Sequence, residues 1–124
     1  MILIKNNSGR RITIQFSSDP DIEIKEQFEK EIIPLVAIEI KGEEDISNIH
    51  YRFGEAEKSH QKAKLQGHSQ FWTLVRVNID YCTLREEFPT TKKFYQMDKI
   101  QNSSISEYLA FRNNLSSLLS VNLD

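Results

Sequence analysis

Two charged residues on one predicted strand have types and a spacing that could serve one substrate, such as a phosphate ester. Glu39 and Lys41 are two positions apart, and residues i and i+2 of a strand project from the same face, roughly 6.6–6.8 Å apart along the backbone. A carboxylate there could hold a metal ion, while an ammonium group could stabilise an anion or position a water molecule. Asp21, after Pro20, could reach the same place from the preceding extended segment.

The candidate metal ligands are all oxygen atoms. The carboxylates of Asp21 and Glu39 and the backbone carbonyl of Ile40 suit Mg²⁺, a hard cation that prefers oxygen ligands and keeps several waters. The spacing alone leaves other interpretations open. A Glu-x-Lys sequence on a strand also occurs as a solvated edge or a cross-strand ion pair, and Pro-Asp is common in turns.

Apolar periodicity predicts the strands that would position these residues. Alternation of apolar and polar residues predicts half-buried strands, and a continuous apolar run predicts a buried one. Pro34 would open the central strand, and the first two strands would form a β-hairpin. Residues 26–33 are expected to make two helical turns. The expected strands cover residues 2–4, 12–16, 22–25, 35–41, 71–79 and 94–97.

Two helices are predicted beside these strands. The first, over residues 47–65, has a narrow apolar stripe on which His60 is expected to be a hydrogen-bonded core residue, and Gly67 stands where a C-cap is usual. The last helix begins near a capping box at Ser104. Because a strand, a helix and another strand in succession favour a parallel crossover, the expected fold is α/β, a mixed sheet flanked by helices.

Composition predicts a soluble, cytoplasmic single domain over residues 1–124. The chain is 39% hydrophobic and 27% charged, which is a globular balance, and no apolar run approaches the length of a membrane span. Its single cysteine, Cys82, excludes an internal disulfide and a cysteine-rich zinc site. The net charge of −2 argues against a general nucleic-acid coat protein, although the chain after residue 45 is slightly basic and allows a local basic surface.

A longer segment carries a family resemblance. Pro20-Asp21 and Glu39-Ile40-Lys41, eighteen residues apart, resemble the PD-(D/E)xK nuclease core. The stretch from Val36 through Lys64 is similar to type II restriction endonucleases, most closely the XcyI-like family, and the similarity extends over about residues 19–100.

This resemblance implies a restriction-endonuclease-like fold and Mg²⁺-dependent cleavage of double-stranded DNA at a short palindrome by a homodimer. Asp21 and Glu39 would be metal ligands, and Lys41 would orient the attacking water and stabilise the transition state. The helix after the central strand would face DNA. Its candidate contacts are Ser47, Asn48, Arg52, Lys58 and Lys62, although the first two could simply cap the helix and the lysines could be solvated or paired with Glu55.

Two departures from the family keep other functions open. An acidic run, Glu43-Glu44-Asp45, follows the candidate site. The chain also begins almost at the first core strand, so we expect it to lack the N-terminal region of the family and to represent the C-terminal catalytic part. The alternatives are a nuclease of the Holliday-junction resolvase type and a catalytically silent remnant or interaction domain.

Overall fold

Six strands form one mixed sheet whose spatial order follows the order along the chain. The computed structural model describes residues 1–17, 20–41, 49–76, 86, 91–100 and 106–121. Within these residues the elements are β1 (Ile2–Lys5), β2 (Arg11–Phe16), β3 (Ile22–Phe28), β4 (Glu31–Lys41), α1 (Ile49–Leu65), β5 (Phe71–Val75), β6 (Lys93–Gln96), α2 (Met97–Ile100) and α3 (Ser106–Leu119). Strands β1 to β4 are antiparallel, and β5 and β6 run parallel to β4. The predicted mixed α/β architecture is confirmed.

The hairpin of β3 and β4 replaces a predicted helix. The expectation of two helical turns over residues 26–33 is wrong, because Glu26 and Gln27 pair with β2 on one side and with β4 on the other. Glu29 has a φ of 56°, which forms a tight turn and interrupts any right-handed helix. Strand β4 also starts before Pro34, which lies at a register shift opposite Lys25, where its missing N–H is tolerated.

The predicted parallel crossover is confirmed. Helix α1 connects β4 to β5, and its Ala63 is buried against Ala37 and Phe71. At its C-terminus the N–H of His68 donates to the carbonyl of Ala63 (3.1 Å) and the N–H of Gly67 to that of Lys64 (3.0 Å). This is a Schellman motif with Gly67 at a φ of 102°. The expected helix start at Ser47 lies outside the described residues.

The main core lies on the sheet face opposite α1. Trp72, Tyr95 and Phe111 pack edge to face with centroids 5.0–6.2 Å apart, and Leu119 of α3 is buried among them. Strand β5 ends at Val75, and residues 77–79 of the longer predicted strand lie outside the described part. Strand β6 ends at Gln96 because Met97 begins α2, and the capping box at Ser104 is likewise outside. In the described residues, no helix is long and apolar enough to cross a membrane.

Candidate active site

Strand pairing brings the predicted site residues together at the C-terminal end of β4, a central strand of the sheet. The antiparallel register places Ile22 opposite Ile38, so Asp21, one residue before β3, lies beside Glu39 on β4. On the other side of β4, Glu39 is the register partner of Thr73 in the parallel strand β5. The two carboxylates, eighteen residues apart in sequence, therefore meet because of the antiparallel register of β3 and β4.

Short contacts hold the three residues around the end of β4. An oxygen of Asp21, Oδ2, accepts a hydrogen bond from the backbone N–H of Ile40 at 2.7 Å. The Nζ of Lys41 lies 3.6 Å from Oε2 of Glu39, and their side chains are only 13% and 4% exposed. Glu39 and Lys41 therefore project from the same face of β4, as their spacing predicts, in a partly desolvated site where charges interact more strongly than in water.

Ser59 is a site residue that the sequence reasoning missed. It lies on α1, and its hydroxyl donates a hydrogen bond to Oε1 of Glu39. Because Lys41 approaches the other oxygen, Oε2, the carboxylate is contacted on both sides. A small polar residue next to the buried stripe of a crossover helix was the available signal, but serine is too common there to identify a donor.

Burial dominates the electrostatics of Glu39. Desolvation raises the pKa of Glu39 to about 7, and the negative charge of Asp21 adds to this effect. The hydrogen bond from Ser59 and the positive charge of Lys41 lower the pKa but do not cancel the effect of burial. The site therefore favours a proton, or another positive charge, at Glu39.

His60 belongs to a buried polar network behind the site. Its Nδ1 lies 3.2 Å from Oγ1 of Thr91, whose hydroxyl is in turn 2.9 Å from that of Thr73. The ring stacks on Phe71 with a centroid separation of 5.3 Å. Burial, helped by the charge of Lys41, lowers the pKa of His60 to about 4, so the ring is neutral at pH 7. The histidine is the hydrogen-bonded core residue that the apolar stripe predicts.

The predicted DNA contacts are resolved only in part. Lys58 and Lys62 are exposed on α1, on either side of buried Ser59 in sequence. Arg52 lies within α1, but its side chain is outside the described part of the structure. Ser47 and Asn48 also fall outside it. The assignment of all five residues as DNA contacts remains a prediction.

The donor set fits a hard divalent cation. Within the described residues there is no group of three or more His, Cys, Asp or Glu side chains that could hold a metal ion, but Mg²⁺ is commonly held by one or two carboxylates and several waters. Asp21 and Glu39 supply two carboxylates whose mutual repulsion raises the pKa of Glu39, a repulsion that a cation would relieve. The carbonyl of Ile40 is the third predicted ligand.

Comparison with known proteins places the chain in a family. The sequence pattern of the XcyI restriction endonuclease family matches residues 1–122. The chain is 42% identical to the type II restriction enzyme XcyI of Xanthomonas campestris pv. cyanopsidis and 40% identical to the type II restriction enzyme Cfr9I of Citrobacter freundii. Each alignment covers 97% of this chain and 37% of the relative, so the chain spans little more than a third of the relatives' length. No solved structure matches it. The chain belongs to the XcyI restriction endonuclease family.

Proposed function

We propose that this chain is the catalytic part of a Mg²⁺-dependent type II restriction endonuclease that hydrolyses phosphodiester bonds of double-stranded DNA at a short palindromic site. The observation that carries the proposal is the meeting of Asp21, Glu39 and Lys41 at the C-terminal end of β4, with an oxygen of Glu39 only 3.6 Å from the ammonium group. Membership of a restriction endonuclease family makes DNA the substrate class to which this chemistry applies.

Each residue has a separate role in the proposed reaction. Asp21 and Glu39, with the carbonyl of Ile40, would hold Mg²⁺, which when bound supplies a lowered water pKa and neutralises charge on the phosphate. Lys41 orients the attacking water and stabilises negative charge that develops on the phosphoryl oxygens. Ser59 fixes the carboxylate of Glu39 through its hydrogen bond.

The DNA would lie against α1 and the adjacent end of the sheet, where β4 ends. Lys58 and Lys62 are exposed there and would contact phosphates, as would Ser47, Asn48 and Arg52. A palindromic site is read symmetrically by a two-fold-symmetric protein, so we infer a homodimer that places one site on each strand. The protein would act in the cytoplasm, where bacterial DNA lies.

Cleavage of supercoiled plasmid tests the proposal. With Mg²⁺, the wild-type chain should nick or linearise the plasmid, and Lys41→Ala should lose at least about 100-fold in rate, the scale for loss of one electrostatic donor. Lys92→Ala, which removes an exposed lysine near β6, is the matched control and should cut normally.

Three other outcomes would contradict the proposal. Equal cutting by wild type and Lys41→Ala would place the site elsewhere. No cutting with Mg²⁺ at any concentration would identify a catalytically silent remnant. Preferred cutting of a four-way junction over a linear duplex would favour a nuclease of the Holliday-junction resolvase type.

A further inference from the structure

Two cations lie side by side in a cleft at the end of the sheet remote from Glu39. Lys5 on β1 and Arg11 on β2 are direct register partners, and the cleft has a volume of about 300 Å³. Its lining residues are Lys5, Gly9, Arg11, Gln27, Phe28 and Glu29.

Neither cation has a partner in the described part of the chain. Both side chains are exposed, and like charges directly opposite each other destabilise an antiparallel pair. The neighbouring Arg10 differs, because it forms an ion pair with Glu26 at 2.6 Å and lies 5.3 Å from the centre of the Phe28 ring. Lys5 and Arg11 are therefore available to an external anion, which would remove their mutual repulsion.

The cleft and the candidate active site lie on the same face of the sheet. Arg11 is the register partner of Gln27, and alternation along β3 places Glu23 on the same face as Gln27. Glu23 is in turn the partner of Ala37, which precedes Glu39 by two residues. The six-residue separation of Gln27 and Asp21 corresponds to about 20 Å along the strand.

This separation matches a short length of nucleic acid. At 3.4 Å per nucleotide, about 20 Å corresponds to roughly six nucleotides of one strand. The sheet surface between the two places carries polar side chains that can donate or accept hydrogen bonds, with the exposed apolar side chains of Leu3 and Ile32 beside them. The members of this surface are Thr13, Gln15, Glu23 and Lys25.

We propose that the cleft between Lys5 and Arg11 binds a backbone phosphate of the same DNA duplex whose scissile bond lies at Glu39. The assignment rests on the proposed nuclease function and adds a second point of contact remote from α1. The guanidinium of Arg11 can bind a phosphate through two parallel hydrogen bonds, whereas Lys5 supplies a point charge. Glu29 at the rim opposes the anion and limits the affinity.

Salt-dependent binding of a fluorescent duplex tests the cleft. Fluorescence anisotropy, measured with EDTA so that no cleavage occurs, would compare the wild-type chain with the double variant Lys5→Gln/Arg11→Gln. Loss of one phosphate contact should make the slope of log K against log salt shallower by about 0.9. Lowering salt from 1 M to 0.1 M should therefore strengthen wild-type binding about eightfold more than binding by the variant.

Two control variants separate a local contact from general charge. Lys92→Gln/Lys93→Gln removes the same charge at the start of β6, an element that the proposal does not place on DNA, and should keep the wild-type slope. Glu29→Gln should tighten binding, because it removes the opposing carboxylate from the cleft. Thermal unfolding of each variant confirms that it is folded.

The result that would overturn the proposal is an equal slope change in the two double variants, an unchanged slope in both, or no duplex binding by the wild-type chain. If inorganic phosphate at constant ionic strength stabilises the wild-type chain but not Lys5→Gln/Arg11→Gln against thermal unfolding, while the duplex slope is the same in both proteins, the cleft is a site for free anions and the proposal is wrong. Binding that depends on the cleft, without cleavage in any divalent metal, would refute the nuclease function and leave the DNA contact standing.

Discussion

Replacement of Glu39 by glutamine should remove a pH dependence from the stability of the metal-free protein. The folded-state pKa of Glu39 is raised from 4.5 to about 7, so the folded protein binds this proton more tightly than the unfolded chain does. The associated stability is fully present below pH 4.5 and is lost as the pH rises to about 7. With 1.36 kcal/mol per pKa unit, the loss amounts to about 3 kcal/mol.

Glutamine has nearly the same shape and carries no charge, and its side-chain oxygen can still accept the hydrogen bond from Ser59. We therefore expect Glu39→Gln to match wild type near pH 4.5 and to exceed its free energy of unfolding by about 3 kcal/mol above pH 7. Urea unfolding at half-unit pH intervals with EDTA measures the difference. A difference that stays constant from pH 4.5 to 7.5 would refute the raised pKa. Added Mg²⁺ should stabilise wild type above pH 7 and leave the variant unchanged.

Two further substitutions test how the site is held and how its helix ends. Ser59→Ala should weaken Mg²⁺ binding about 10-fold or more by calorimetry, because a hydrogen bond to a charged group contributes about 1.5–3 kcal/mol. Ser59→Thr keeps the hydroxyl and should restore most of the affinity, and equal affinities in all three proteins would contradict the role of Ser59. Gly67→Ala should lower the free energy of unfolding by about 1–2 kcal/mol, because its φ of 102° is strained for alanine; an unchanged unfolding midpoint in urea would exclude this strain.

Local sequence signals predict the individual strands and helices of this fold better than they predict which strands pair with each other. Alternation at Ile12 and Ile14 predicts β2, and Gly67 marks the end of α1 where the Schellman motif is found. Residues 26–33 misled the prediction because a short charged and apolar segment fits two helical turns as well as a hairpin. The decisive contacts, such as Glu26 with Ile12 on the neighbouring strand, are non-local.

In the candidate site, too, local features could be predicted from the sequence, whereas contacts between different elements could not. The two-residue spacing of Glu39 and Lys41 predicts that they share a face, and this is a property of one strand. That Asp21 lies beside Glu39 depends on the β3–β4 register, which a shift of one residue would change. The hydrogen bond from Ser59 depends on which side of α1 packs on the sheet. That orientation of the helix is a tertiary property, and no local pattern encodes it.

The sequential order of the strands makes the candidate site local along the chain. The hydrogen bond between Asp21 and Ile40 joins residues 19 positions apart, and the one between Ser59 and Glu39 joins residues 20 positions apart. Closing loops of this length is entropically inexpensive, and low contact order favours rapid folding. One continuous stretch, residues 21–59, thus carries both carboxylates, the lysine and the supporting hydroxyl. Recombination between related genes could transfer that stretch as one block without separating any of the four residues.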